Sequence, residues 1–285
     1  QRIRLMGFLY PKAGLQELIE KQETYMRENL LLKKLQEGRG VAGAFCSIPS
    51  PSVVEILGLA GMDFVIVDSE HSPILPLDAE NMYRAAELTG IVPITRIGEN
   101  SQQVIQKFLD AGTMGIQIPL VDTGEDAKKV VDAARYPPKG KRGLAGSRAA
   151  SYGLAEPMDQ YVETANKQII VIVQVETVLA LENIEEISGV EGVDIVFMGP
   201  GDLSSSFGIH GQTRHPDVLK RIEEAGDVVQ KAGKIAGTLG RDIEEYSYWR
   251  DRGFQYLCTN TPGLLGGATR NYLKPFRDYE TQKFG

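Results

Sequence analysis

Eight short apolar, β-branched runs recur along this chain with longer runs of helical period between them, and that alternation restricts the fold more than any other feature. The runs span roughly 41–47, 63–68, 92–96, 114–119, 169–175, 194–198, 234–239 and 254–258. Each is almost continuously hydrophobic, as strands covered on both faces must be. Helix candidates lie between them at 53–60, 77–89, 101–111, 124–135, 180–187 and 216–232. Ser101 opens one of these and Gly112 closes it; Thr123 opens another that leads to Tyr136 and two prolines. Eight strand–helix units in 285 residues predict the α/β class and a closed (β/α)8 TIM barrel. The alternative, an open doubly wound sheet, lacks the Gly-rich dinucleotide turn expected after its first strand.

The expected organisation is an N-terminal helical extension over 1–38 and a barrel catalytic domain over 39–285. Leu15, Leu18, Ile19, Met26, Leu30, Leu31 and Leu35 are spaced among charges, which predicts one or two amphipathic helices over 14–38 that cover the barrel bottom or meet another copy. The segment 136–153 has turn chemistry and no periodicity, and a loop of that length in a compact fold is usually functional or disordered. A net charge of -7 leaves no electrostatic footprint for nucleic acid or an anionic membrane. No apolar run approaches the roughly 20 residues of a membrane helix, and the first residues lack the apolar core of a secretory signal. Cys46 and Cys258 are the only cysteines and read as buried thiols of a reducing compartment. The expectation is a soluble, cytoplasmic protein that acts on small molecules.

In such a barrel the active site lies at the C-terminal ends of the strands, so polar residues that close apolar runs carry functional weight. Those residues are Asp68, Glu70 and His71 after the second run, Arg96 after the third, Gln117 in the fourth, Gln174 and Glu176 around the end of the fifth, and Asp202 after the sixth. Gln174 and Glu176 share a strand face that continues Ile170 and Ile172 into the interior. The turn from Gly199 to Ser204 brings Asp202 beside Glu176, so two hard oxygen donors come from adjacent strands, a set that suits a divalent cation keeping several waters. Backbone N–H groups at Gly201 and Asp202 could take a substrate carboxylate. The same two acids could instead be caps at loop starts. His71 can move a proton at neutral pH, and Arg96 could meet a developing enolate or simply pair with Asp68 or Glu70. None of the fifteen lysines ends a strand, which excludes Schiff-base aldolase chemistry and leaves a metal as the electron sink of any carbon–carbon lyase on this frame. His210 and His215 lack a third zinc ligand at suitable spacing.

The motifs Ser50-Pro51, the run from Asp68 to Pro73 (DSEHSP), 118–123 (IPLVDT), 134–143 (ARYPPKGKRG), 174–177 (QVET) and 199–204 (GPGDLS) occur in one order and spacing. By them the chain from about Asn29 to Tyr279 resembles the HpcH/HpaI class II pyruvate aldolases, which include 2-dehydro-3-deoxyglucarate and 4-hydroxy-2-oxoheptanedioate aldolases. The resemblance implies a metal-dependent aldolase that cleaves a 4-hydroxy-2-oxo acid to pyruvate and an aldehyde through a metal-bound enolate. It implies His71 as proton acceptor, Arg96 as enolate stabiliser, and Asp110 as the carboxylate that raises the basicity of the histidine. It also implies Glu176 and Asp202 as metal ligands and Gln174, Gly201 and Asp202 as pyruvate-binding positions. The cation would be Mg2+ or Mn2+, with Co2+ a further candidate. The assembly would be a homo-hexamer of barrels with swapped C-terminal helices, so that a helix after Thr261 reaches a neighbour. Simple topology sets Asp110, near the end of a barrel helix, at the opposite end from the active site. The sequence departs from the family's pattern at Ser69, where Gly is common, and in the loop from Cys258 to Gly263, which lacks the usual Asp.

Two other readings compete. One is different enolpyruvate chemistry in the same superfamily: a decarboxylase, a macrophomate-synthase-like bicyclisation or an acyl-CoA lyase, for which the basic 139–148 loop is the only nucleotide candidate. The other is a phosphate-binding barrel that uses the glycines at 237–240 and 263–267.

Overall fold

The structure, a computed structural model, describes residues 26–284. Among them eight parallel strands close into a barrel in chain order. They are β1 (Val41–Cys46), β2 (Phe64–Asp68), β3 (Val92–Arg96), β4 (Gly115–Ile118), β5 (Ile170–Val175), β6 (Ile195–Met198), β7 (Ile235–Leu239) and β8 (Tyr256–Asn260). Each expected strand is present, and only β8 is displaced, running two residues beyond the apolar run that marks it.

The helices are α1 (Leu30–Gln36), α2 (Pro51–Leu59), α3 (Pro76–Thr89), α4 (Gln102–Ala111), α5 (Gly124–Ala134), α6 (Met158–Gln168), α7 (Val178–Glu182), α8 (Ile184–Gly189), α9 (Pro200–Ser206), α10 (Pro216–Lys231), α11 (Ile243–Arg250) and α12 (Thr261–Phe284). The single helix expected over 180–187 is two short ones, α7 and α8, because the chain turns at Asn183, whose Nδ2 donates to Asp122 O at 2.8 Å. The 136–153 connection holds a short 3-10 turn, Arg148–Gly153, before α6.

Two apolar layers follow from the pleat. Alternate residues Phe64, Ile66, Val92, Ile94, Ile170, Ile172, Ile195, Phe197, Tyr256 and Cys258 fill the barrel interior, while the intervening ones meet the helices outside. Gly43 and Gly115 face this interior because no side chain fits there. A Cβ on Gly43 would lie 2.5 Å from the Phe64 ring, and one on Gly115 2.5 Å from Ile94.

The described part of the extension closes the bottom. Asn29 caps α1 by accepting from Leu32 N at 3.1 Å and is itself buried, its Nδ2 donating to Met114 O at 3.1 Å and Gln168 O at 2.7 Å. That fixes Leu31 and Leu35 as the lowest members of the interior cluster. The helix expected over 14–25 lies outside the described residues. At the other terminus, α12 buries only Thr261 and leaves Leu265, Tyr272, Phe276, Tyr279 and Phe284 exposed.

Candidate active site

Register carries the polar residues to one end. Asp68 pairs with Arg96 and Arg96 with Gln117, each two residues beyond an interior position, so all three side chains reach the top of the barrel lumen. On β5, Gln174 and Glu176 continue the interior face of Ile170 and Ile172, and Gln174 lies opposite Phe197. Asp68, Arg96, Gln117, Gln174 and Glu176 are buried.

These residues form two linked hydrogen-bond groups. Arg96 forks onto Asp68, Nε to Oδ1 at 2.9 Å and Nη2 to Oδ2 at 2.7 Å, and its Nε also lies 3.2 Å from Oε2 of Glu70. The guanidinium carbon stands 4.5 Å above the Phe45 ring centroid. Burial works against the Arg96 charge, but Asp68, Glu70 and Glu176 outweigh it and raise its pKa. The ion-pair alternative for Arg96 therefore describes the geometry here. His71 lies next door with an exposed side chain, its Nε2 3.6 Å from Oε2 of Glu70.

In the second group Gln117 Nε2 donates to Gln174 Oε1 at 2.6 Å, and Gln174 Nε2 donates to Oε2 of Glu176. Oε1 of Glu176 accepts from the backbone N–H of Leu120 at 2.9 Å. Glu176 is only 2 % exposed. Burial pushes its carboxyl up to about 7; the Gln174 and Leu120 hydrogen bonds pull it down, and the charges of Asp202 and Glu70 push it further up. Gly199 makes the close approach of the β6–α9 turn possible, since a Cβ there would stand 2.8 Å from Oε2 of Glu176. Asp202 follows in the exposed first turn of α9, as does Gly201.

Glu176 and Asp202 are the two carboxylates that could hold a cation here: burial is the main cause that raises the Glu176 carboxyl, and the charges of Asp202 and Glu70 act on it in the same direction. No group of three or more His, Cys, Asp or Glu residues is arranged for a metal among the described residues. Two carboxylates with open positions leave the rest of a hard cation's coordination to water and substrate.

Other expected residues lie elsewhere. Within this chain Asp110 is not brought to His71: it ends α4, and its Oδ1 accepts from Nη2 of the fully buried Arg142 at 2.8 Å. The physical reason is the buried guanidinium, which needs a counter-charge at that end. His215 caps α10, its Nδ1 accepting from Asp217 N at 3.3 Å. The glycine loops read as phosphate candidates have internal partners, Gly240 N with Cys258 O at 2.8 Å and Gly263 N with Asn260 Oδ1 at 2.7 Å.

Leu120 is a participant that the sequence does not announce. It sits at φ 52°, the left-handed region, which costs a leucine about 1–2 kcal/mol. Leu120 N and Val121 N both donate onto the end of β5, the latter to Gln174 O at 3.2 Å, so the chain crosses the mouth at this point. Alternation marks Gln117 in the sequence, but no pattern marks a leucine for positive φ.

A parallel barrel with an acidic mouth around one buried guanidinium is that of an enzyme acting on a small polar substrate. The model of the HpcH/HpaI aldolase/citrate lyase family matches residues 42–257, and the chain belongs to that family, whose members of the aldolase class are carbon–carbon lyases. The chain is 40 % identical over 239 residues to a hydroxypyruvate/pyruvate aldolase of Sagittula stellata, covering 84 % of this chain and 93 % of that protein. A 2-keto-3-deoxy-L-rhamnonate aldolase of Salmonella gallinarum is 40 % identical over 210 residues, 73 % and 78 % of the two chains. A solved HpcH/HpaI aldolase/citrate lyase family protein of Burkholderia cenocepacia superposes with TM-score 0.82 at 32 % identity, covering 87 % of this chain and 99 % of that one. The resemblance, the barrel and the aldolase class expected from the sequence are all borne out.

Proposed function

We propose that this enzyme is a metal-dependent pyruvate aldolase that reversibly cleaves a 4-hydroxy-2-oxo acid to pyruvate and an aldehyde. The observation that carries the reading is the placement of Glu176, a buried carboxylate held at the barrel mouth by Gln174 and the Leu120 N–H, with the charge of Asp202 acting on it from the next strand's turn. Glu176 and Asp202 hold the divalent cation, Mg2+ or Mn2+ in the first place. When bound, the cation supplies the Lewis acidity that makes the pyruvate methyl protons labile.

The chain's own residues do the rest. Gln174 and the backbone N–H groups of Gly201 and Asp202, in the first turn of α9 where amides lack intrahelical partners, orient the pyruvate carboxylate. Arg96, turned from its pair with Asp68, meets the developing enolate oxygen in a site largely shielded from water. His71, exposed at the rim, takes the methyl proton and returns one to the aldehyde-derived oxygen. Asp110 has no place in this set within its own chain.

The test is pyruvate release from a panel of 4-hydroxy-2-oxo acids with and without a chelator. Release that needs a divalent cation and falls at least 10²-fold in Glu176→Gln is the expected result, the order typical of a lost transition-state group. Chelator-resistant release, or none from any acid, overturns the reading.

The proposal extends to the assembly and its setting. The enzyme is a cytoplasmic homo-oligomer, a hexamer in which α12 docks on a neighbour, supported by its exposed apolar residues Leu265, Tyr272 and Phe276. No helix among the described residues is long and apolar enough to cross a membrane.

A further inference from the structure

Leu120 combines three features that do not fit one another without a ligand. Its backbone adopts a conformation that glycine takes without strain. Its N–H, which glycine would equally provide, is all that Glu176 uses. Its side chain gains little from burial, for the residue is 59 % exposed. Ser151 and Tyr152 are the other non-glycine residues at positive φ among those described, and both belong to the 3-10 turn before α6, beside the N-terminal ends of β3 to β5 rather than the C-terminal ends.

A strained residue that its own chain does not compensate has its use outside the chain, and strained backbone gathers at ligand sites. Leu120 follows β4 by two residues, at the C-terminal end of the barrel, with Pro119 before it and the buried Val121 anchoring it from behind. Besides it, the groups that act on Glu176 are polar or charged: Gln174, Asp202 and Glu70. A branched aliphatic side chain at that rim stands out from all of them. A small polar donor held among the charges has no need of it.

We propose that Leu120 is a specificity-determining residue of this site: its side chain forms an apolar wall beside Glu176 that receives the carbon chain of the acceptor aldehyde. The inference rests on the aldolase reading above and names the class of second substrate that this chain accepts, an aldehyde whose substituent next to the carbonyl is aliphatic. The left-handed turn brings the wall to the rim and aims the N–H at Oε1 of Glu176 in one move. No new bond is involved; the contact favours one acceptor over another by excluding water from its chain.

The experiment measures kcat/KM for aldol addition of pyruvate to butanal and to glycolaldehyde, in the wild type and in Leu120→Gly, Leu120→Ala and Leu120→Met. Calorimetric Mn2+ binding is measured on each variant as an independent check on Glu176. The expected result is a butanal-to-glycolaldehyde ratio that falls about 10-fold or more in the Gly and Ala variants, the size of a lost methylene-scale contact. Leu120→Met restores most of the ratio, and Mn2+ affinity stays within about threefold throughout, since every variant keeps the N–H. A ratio within twofold of wild type in both truncations overturns the proposal. So does a fall in ratio that follows a loss of Mn2+ affinity, because the residue would then act through Glu176. If the wild type adds pyruvate to neither aldehyde nor to any other, it is the aldolase reading that fails.

Discussion

At the scale of single residues the site is governed by one carboxyl. Burial, with the charges of Asp202 and Glu70, raises Glu176 from an ordinary 4.5 to about 7. In the cation-free protein the folded state therefore binds more protons than the unfolded chain between those values. Stability is unaffected below about pH 4.5 and falls as pH rises through 7, by an amount on the order of 3 kcal/mol from this group. A cation must displace that proton, so its affinity should rise about tenfold per pH unit up to 7 and then level off. Calorimetric titration with Mn2+ between pH 5.5 and 8 reads the slope, and a flat profile would take Glu176 out of the metal site. Much at this scale was legible in the sequence, because a period of two sends Asp68, Arg96, Gln117, Gln174 and Glu176 to one end of the lumen once the strands are known. Asp110 was not, since its partner Arg142 comes from a loop without periodicity.

At the scale of elements the strand tops are joined by short turns whose geometry the chemistry depends on. The β6–α9 turn passes so near β5 that a Cβ at position 199 would stand 2.8 Å from Oε2 of Glu176 and 3.3 Å from Nε2 of Gln174. That oxygen cannot swing aside freely, because Gln174 and Leu120 hold the carboxylate at both ends. Gly199→Ala should therefore fold with a melting temperature within a few degrees of wild type and bind Mn2+ at least about tenfold more weakly. Unchanged Mn2+ affinity would mean that the turn yields and the carboxylate does not. Strands were readable in the sequence because burial on both faces makes them continuous apolar runs. Helices α6, α9 and α11 were not among the expected ones, and α12 was expected only through the family resemblance. The pattern of α11 is weak, α9 is a short helix that opens on Pro200, and α12 presents no single buried face, with a proline, Pro275, inside it. The N-terminal extension was legible only as amphipathic; that its second part closes the barrel rests on Asn29 reaching the edges of β4 and β5.

At the scale of the whole molecule the decisive fact is that the interior is filled. Leu31 and Leu35 of α1 stop the lower end, Phe64 and Tyr256 stack at 4.3 Å above them, and Phe197 and Phe45 fill the layers beneath the site. The barrel is thus a blind cup with one opening. Traffic through a blind cup is last in, first out. Whichever fragment of the cleaved acid lies deeper must wait for the other to depart, and in the arrangement proposed here pyruvate, against Glu176 and Gln174, is the deeper one. The aldehyde leaves first and pyruvate second, so pyruvate meets the empty enzyme and should inhibit cleavage competitively against the substrate. The aldehyde, returning to a cup already holding pyruvate, should inhibit without that competition.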